Sequence, residues 1–69
     1  MAADRLAGTV TGFDVHVGLG TVKASTGETY PFHCVSIADG TRTIEVGTEV
    51  TFRVRFHVAR DEATDIRPS

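Results

Sequence analysis

Ten consecutive residues, Glu49-Val50-Thr51-Phe52-Arg53-Val54-Arg55-Phe56-His57-Val58, constrain this chain more than any other feature. Val50, Phe52, Val54, Phe56 and Val58 alternate without a break with Glu49, Thr51, Arg53, Arg55 and His57. A period of two places the apolar set on one face of a strand and the polar set on the other. No window carries a comparable apolar repeat at helical spacing. Elsewhere Gly18 and Gly20, Ser25-Thr26-Gly27-Glu28, Asp39-Gly40 and Gly47 punctuate short runs rich in Val, Thr, Phe and Ile. That is the pattern of several short antiparallel strands.

The spacing predicts four further strands, near Ala7 to Phe13, Leu19 to Ala24, Tyr30 to Cys34 and Ala63 to Arg67. Ser25-Thr26-Gly27 should turn a hairpin between the second and third strands. One short helical turn is expected over Val35-Ser36-Ile37-Ala38. Val10, Val22, Phe32, Ile37, Ile44 and Ile66 are the expected core. Pro31 has no N–H to donate, so its backbone should face an edge, a bulge or solvent.

Sixty-nine residues allow one domain and one modest core, expected over 1–69 with residues 1–5 flexible. So small a core leaves little margin over conformational entropy, which favours a closed, edge-free sheet. It leaves no room for a lid or a second domain, which favours a binding module over an enzyme. Seven Lys and Arg face nine Asp and Glu, a formal charge of −2 with His neutral. A protein of that balance can hold a polyanion only on a local basic face. The single cysteine, Cys34, excludes an intramolecular disulfide and suits a reducing compartment. Met1-Ala2-Ala3-Asp4-Arg5 leads into no apolar segment of the signal type, and no run reaches a membrane span. The expectation is a cytoplasmic protein without a membrane partner.

Reactive constellations are hard to find. His16, His33 and His57 stand at no recognised ligand spacing, so they are read as exposed histidines rather than a metal site. His33 and Cys34 are neighbours on a strand, where adjacent side chains point to opposite faces, so they do not form a nucleophilic pair. Cys34 is read as half-buried and structural. No helix follows Gly18-Leu19-Gly20 to present its N-terminus to a phosphate. No cofactor, no metal and no catalysis are expected.

The order of segments carries a resemblance. Gly8-Thr9-Val10-Thr11-Gly12-Phe13-Asp14 resembles the first strand of bacterial cold-shock proteins, which reads G-x-V-K-W-F-N. Gly18-Leu19-Gly20-Thr21-Val22 falls where that family has G-F-G-F-I, and Tyr30-Pro31-Phe32-His33-Cys34 where it has V-F-V-H-F, followed by Ile37 at its isoleucine. Thr43-Ile44-Glu45-Val46-Gly47-Thr48-Glu49-Val50-Thr51-Phe52 resembles T-L-x-E-G-Q-x-V-x-F, and Glu62-Ala63-Thr64-Asp65-Ile66 the closing Q-A-x-N-V. The likeness runs from Gly8 to about Arg67. It implies a five-stranded antiparallel barrel of the oligonucleotide-binding (OB) type, and single-stranded RNA or DNA as the partner.

In the family, aromatic rings on the first three strands stack bases. Here the tryptophan position is Gly12, the next two rings are Leu19 and Thr21, and those of the third strand are Pro31 and Cys34. The ring of the following loop becomes Thr41, and two positions often basic are Thr11 and Val17. His33 remains to stack, with Phe13 beside the lost tryptophan, although Phe13 is read equally as a core residue. Each base–aromatic stack is worth about 1–3 kcal/mol, so losing even five of these six removes at least roughly 5 kcal/mol, more than three decades of affinity. Lys23, Arg42, Arg53, Arg55 and Arg60 are the candidates for phosphate contact. The expected nucleic-acid contacts are thus Phe13, Leu19, Lys23, His33, Arg53, Arg55 and Arg60, giving weak, salt-sensitive and poorly selective binding.

Between the last two strands the family has a glycine-containing loop, whereas this chain runs Phe56-His57-Val58-Ala59-Arg60-Asp61. Two readings follow. The preferred one has the strands tilt so that Phe56 and Val58 close the end of the barrel. The other leaves them on an apolar arm through which two copies dimerise. The leading function is a cold-shock-like module for single-stranded nucleic acid. The alternative is a degenerate barrel acting through protein contacts.

Overall fold

The five expected strands are all present as β1 (Leu6–Asp14), β2 (Leu19–Ala24), β3 (Thr29–His33), β4 (Glu49–His57) and β5 (Arg60–Pro68). A computed structural model of the chain describes residues 5–38, 40, 43–57 and 60–69, without the side chains of His57 and Arg60. Thr41, Arg42 and Val58 lie outside the described residues. The fold is all-β: the strands form one antiparallel sheet in the order β3-β2-β1-β4-β5, and the only helical piece among the described residues is a 3-10 turn at Cys34–Ser36.

That turn starts one residue earlier than expected and so ends β3 at His33. β5 begins three residues earlier than expected, at Arg60, because it pairs along β4 to its last residue, His57↔Arg60. The β2–β3 hairpin closes over Ser25-Thr26-Gly27 as expected, with Gly27 N–H donating to Ala24 O at 2.8 Å.

Two β-bulges decide which residues reach the interior. Val10↔Val22 is followed by Gly12↔Thr21, so Thr11 is an extra residue on β1. Arg53↔Thr64 and Thr51↔Arg67 leave two β5 residues, Asp65 and Ile66, opposite Phe52. An extra residue shifts the two-residue period by one. Val10 and Phe13 therefore both turn inward although three apart, and so do Ala63 and Ile66. Asp65 absorbs the second bulge in the left-handed region, with φ 52°, a conformation that Asp tolerates better than most residues.

The buried core is Val10, Val22, Ala24, Phe32, Ile37, Val50, Phe52, Ala63 and Ile66, with Leu6, Phe13, Tyr30 and Ile44 packed against it. All six residues expected in the core are in it or packed on it. Phe13 stacks on Phe32 with centroids 6.0 Å apart, and Tyr30 meets Phe52 edge-on at 5.8 Å. Gly20 makes room for this packing, since a Cβ there would lie 2.5 Å from Cζ of Phe32.

The sheet is strongly curled. β3 and β5, its two outermost strands, contact each other, and Ala38 N–H donates to Ile66 O at 2.8 Å beside an isolated parallel bridge, Ile37↔Ile66. No ladder runs from β3 to β5 among the described residues, so the sheet does not close by hydrogen bonding. Pro31 falls on edge strand β3, where its missing donor is tolerated.

The preferred expectation for Phe56 is corrected. Its ring is 70% exposed and Val54 is 36% exposed, so Phe56 does not close the end of the sheet. The alternation continues to His57, but the interior ends at Phe52. Arg5, grouped at first with a flexible start, is held by four hydrogen bonds to Thr51 and Asp65.

Candidate nucleic-acid interface

Residues paired across strands share a face, so the register shows what the outer surface of β1–β3 presents. Three outward rows follow: Asp14–Leu19–His33, Gly12–Thr21–Pro31 and Thr9–Lys23–Thr29. Leu19 and His33, expected together at this site, are direct cross-strand partners and both exposed. The Thr11 and Thr21 hydroxyls hydrogen-bond at 2.9 Å and occupy the middle of the face.

Phe13 belongs to the row behind, Phe13–Gly20–Phe32. It is half-buried, and its accessible side borders a shallow hollow of about 320 Å³ with Gly12, Asp14, Leu19, Gly20 and Thr21. The chain has four Phe, one Tyr and no Trp. Four of these five rings pack inside and the fifth, Phe56, stands on the arm. His33 is thus the only side chain with a flat ring on the outward rows of β1–β3.

The cationic candidates separate into two groups. Lys23 lies four residues from Leu19, about 14 Å along the strand, and its row partner Thr9 pairs onward with Glu49. Arg53 and Arg55 share the outer face of β4. Arg55 meets His33 in a hollow of about 240 Å³ that also includes Val35, Ser36, Glu62 and Thr64. Arg60 is placed only as a backbone position opposite His57.

Sequence reasoning missed one hub. The Asp65 carboxylate receives Arg5 Nη1 at 2.8 Å and Arg67 Nε at 3.2 Å, with Arg53 Nε at 3.9 Å. Its side chain is 30% exposed. Desolvation alone would raise its pKa, but the hydrogen bonds and charges of Arg67 and Arg5 hold it below the ordinary value of 3.8. A carboxylate depressed in the folded state contributes stability that is present above its unfolded pKa and lost as pH falls through the folded one. Asp65→Asn should therefore flatten the loss of stability below about pH 4, read from urea midpoints across an acid series. An unchanged acid limb in Asp65→Asn would remove Asp65 from the account.

Tyr30 is tied outward in a similar way, its hydroxyl donating to the Glu28 carboxylate. That bond, desolvation and the charges of Glu28 and Asp61 raise the pKa of its phenol above 10.0. Cys34 is half-buried, as expected, and its N–H donates to Gly18 O at 2.7 Å. Gly18 has φ 72°, and a Cβ there would lie 2.8 Å from the Cys34 sulfur, so the close approach requires glycine. Among the described residues no group of three metal-ligating side chains occurs, and no helix is long and apolar enough to cross a membrane. Compared with known proteins, the chain matches no family model and no curated sequence.

Proposed function

We propose that this chain is an OB-type barrel of the cold-shock kind that binds single-stranded RNA or DNA weakly and without sequence selection. The strand order, with β3 folded round against β5, supports the barrel reading, since OB folds are partly open five-stranded barrels that bind on the face of strands 2 and 3. One observation carries the functional reading. Leu19 and His33 stand side by side and exposed on that face, with Thr21 and Pro31 in the next row. Weakness follows from the aromatic inventory, because a face with one imidazole offers little stacking. The free thiol supports a reducing, cytoplasmic setting.

Gly12 supplies the sharpest test. It lies on the middle outward row, its nearest obstacle is the Thr21 hydroxyl at 3.2 Å, and it stands where the resembling family has its tryptophan. Gly12→Trp should add a stacking ring worth about 1–3 kcal/mol, tightening binding roughly 5- to 150-fold. Fluorescence anisotropy with labelled oligo-dT and oligo-U at low salt measures this, and His33→Ala should abolish the signal of the unaltered chain. If neither the unaltered chain nor Gly12→Trp binds, the proposal is wrong.

The exposed Phe56 favours a second reading, a homodimer formed through the β4–β5 arm. It is preferred if oligonucleotides fail to bind and the same samples show a concentration-dependent dimer that Phe56→Ser dissociates.

A further inference from the structure

The outer faces of β4 and β5 hold a charge arrangement absent from β1–β3. Three guanidinium groups, those of Arg5, Arg53 and Arg67, converge on the single Asp65 carboxylate. One negative charge among three positive ones leaves a local excess on a chain whose total is −2. Arg5 is committed to the fold: its Nε donates to Thr51 Oγ1, its Nη1 to Asp65 Oδ2, and its Nη2 to the carbonyls of Thr51 and Asp65. Arg53 and Arg67 are different. Both side chains are more than half exposed, and each faces Asp65 only through Nε. Among the described residues their terminal nitrogens meet no acceptor.

Arg55 continues the row. It sits two residues beyond Arg53 on the same strand face, about 7 Å away by strand rise, comparable to the step between successive phosphates of an extended single strand. Its side chain makes no hydrogen bond or ion pair among the described residues. It borders the hollow shared with His33, where β5 meets the end of β3. The basic row therefore runs from Arg67 through Arg53 and Arg55 to the exposed Leu19–His33 pair.

We propose that Arg67, Arg53 and Arg55 form a track for the phosphodiester backbone, which crosses from the β4–β5 face at the β3–β5 seam and delivers bases to Leu19 and His33. This rests on the single-strand reading above and specifies where the backbone lies. A guanidinium presents a planar fork of donors that matches phosphate oxygens, so each exposed terminal fork takes one phosphate. Asp65 is a positioning residue: it turns the Nε side of Arg53 and Arg67 inward and leaves the forks outward. Glu62 borders the same hollow and opposes the ligand there, which limits the affinity. Lys23 lies off the track.

The test is an NMR titration of the full chain that follows arginine Nε–Hε and backbone amide signals. Two probes are used: heptathymidine and a base-free deoxyribose-phosphate heptamer of equal length. Both should shift Arg53, Arg55 and Arg67, while only heptathymidine shifts Leu19 and His33. Three phosphates neutralised on a single strand give a salt slope of about −2, a loss of roughly 20-fold in affinity for a fourfold rise in salt. Arg55→Gln, which breaks no contact of the fold, should lower the slope by about 0.7. Heptathymidine shifting Leu19 and His33 with the arginines unmoved overturns the track and leaves the single-strand reading standing. Arginine shifts with both probes but none at Leu19 or His33 keep the three arginines as the phosphate contacts and overturn both the delivery of bases and the single-strand reading. Silence with both probes overturns both. Arginine shifts that follow protein concentration alone assign the face to a second copy of the chain and overturn the track.

Discussion

Phe52→Ala is expected to leave the protein largely unfolded at room temperature. The ring is fully buried, in the middle of β4, with Tyr30 edge-on against it and Gly8 directly over it. Replacing a buried Phe by Ala costs about 3–5 kcal/mol, the transfer of the ring plus the cavity left behind. A chain of this length has a total stability of roughly 3–10 kcal/mol, and so small a core places it toward the lower end, where one such loss removes most or all of it. Phe56→Ala is the matched control. It lies four residues along the same face of the same strand, but exposed, and should move stability by no more than about 0.5 kcal/mol. Urea unfolding followed by circular dichroism distinguishes the two. Equal effects at the two positions would show that the interior does not end where Phe52 stands.

Gly20→Ala should be nearly as damaging, for the opposite reason. The added methyl carbon would lie 2.5 and 2.8 Å from the Phe32 ring and 2.8 Å from the carbonyl oxygen of Gly12. The ring cannot move freely, because Phe13 is stacked against it. Overpacking of this kind costs about 1–3 kcal/mol and forces shifts in side chains or backbone. The expected result is a lower urea midpoint with displaced aromatic resonances of Phe13 and Phe32. Gly12→Ala, eight residues earlier and on the outward row, meets only a rotatable hydroxyl at 3.2 Å and should be tolerated. A Gly20→Ala protein as stable as the unaltered one would mean that Phe32 does not pack over Gly20.

The architecture was largely legible because each strand carries its own signal. The alternation at 49–58, the glycine-punctuated turns and the β-branched runs gave all five strands, and the six core residues named from them lie in the interior or against it. The depth of the interior was not legible. Alternation reports which face a residue takes, and Phe52 and Phe56 take the same one; only the elements packed behind them differ. The bulges were equally silent. Thr11 and Asp65 resemble ordinary strand residues, yet each shifts the period by one and carries Phe13 or Ile66 inward. A strict two-residue count from Val10 would have placed Phe13 outside.

Much of the candidate interface was legible through the family resemblance, which brought Leu19 and His33 together before any register was known. Its basic side was read less well. Arg53 and Arg55 were visible as neighbours on one strand face, whereas Arg5 and Arg67 drew no attention. Their role depends on Asp65, which meets Arg5 across 60 residues of chain and only once Arg5 lies against β4 and β5. No local pattern encodes such a meeting.

The two outermost strands share a property with a practical outcome. An exposed margin of a sheet invites a further strand, from another molecule, to continue the ladder and begin a fibre. β3 contains a residue without a donor, Pro31, and β5 is kinked at Asp65 by its left-handed backbone. Neither can offer an incoming chain an unbroken template, so concentrated solutions of this small protein gain protection against strand-by-strand aggregation from the same irregularities that shape its interior.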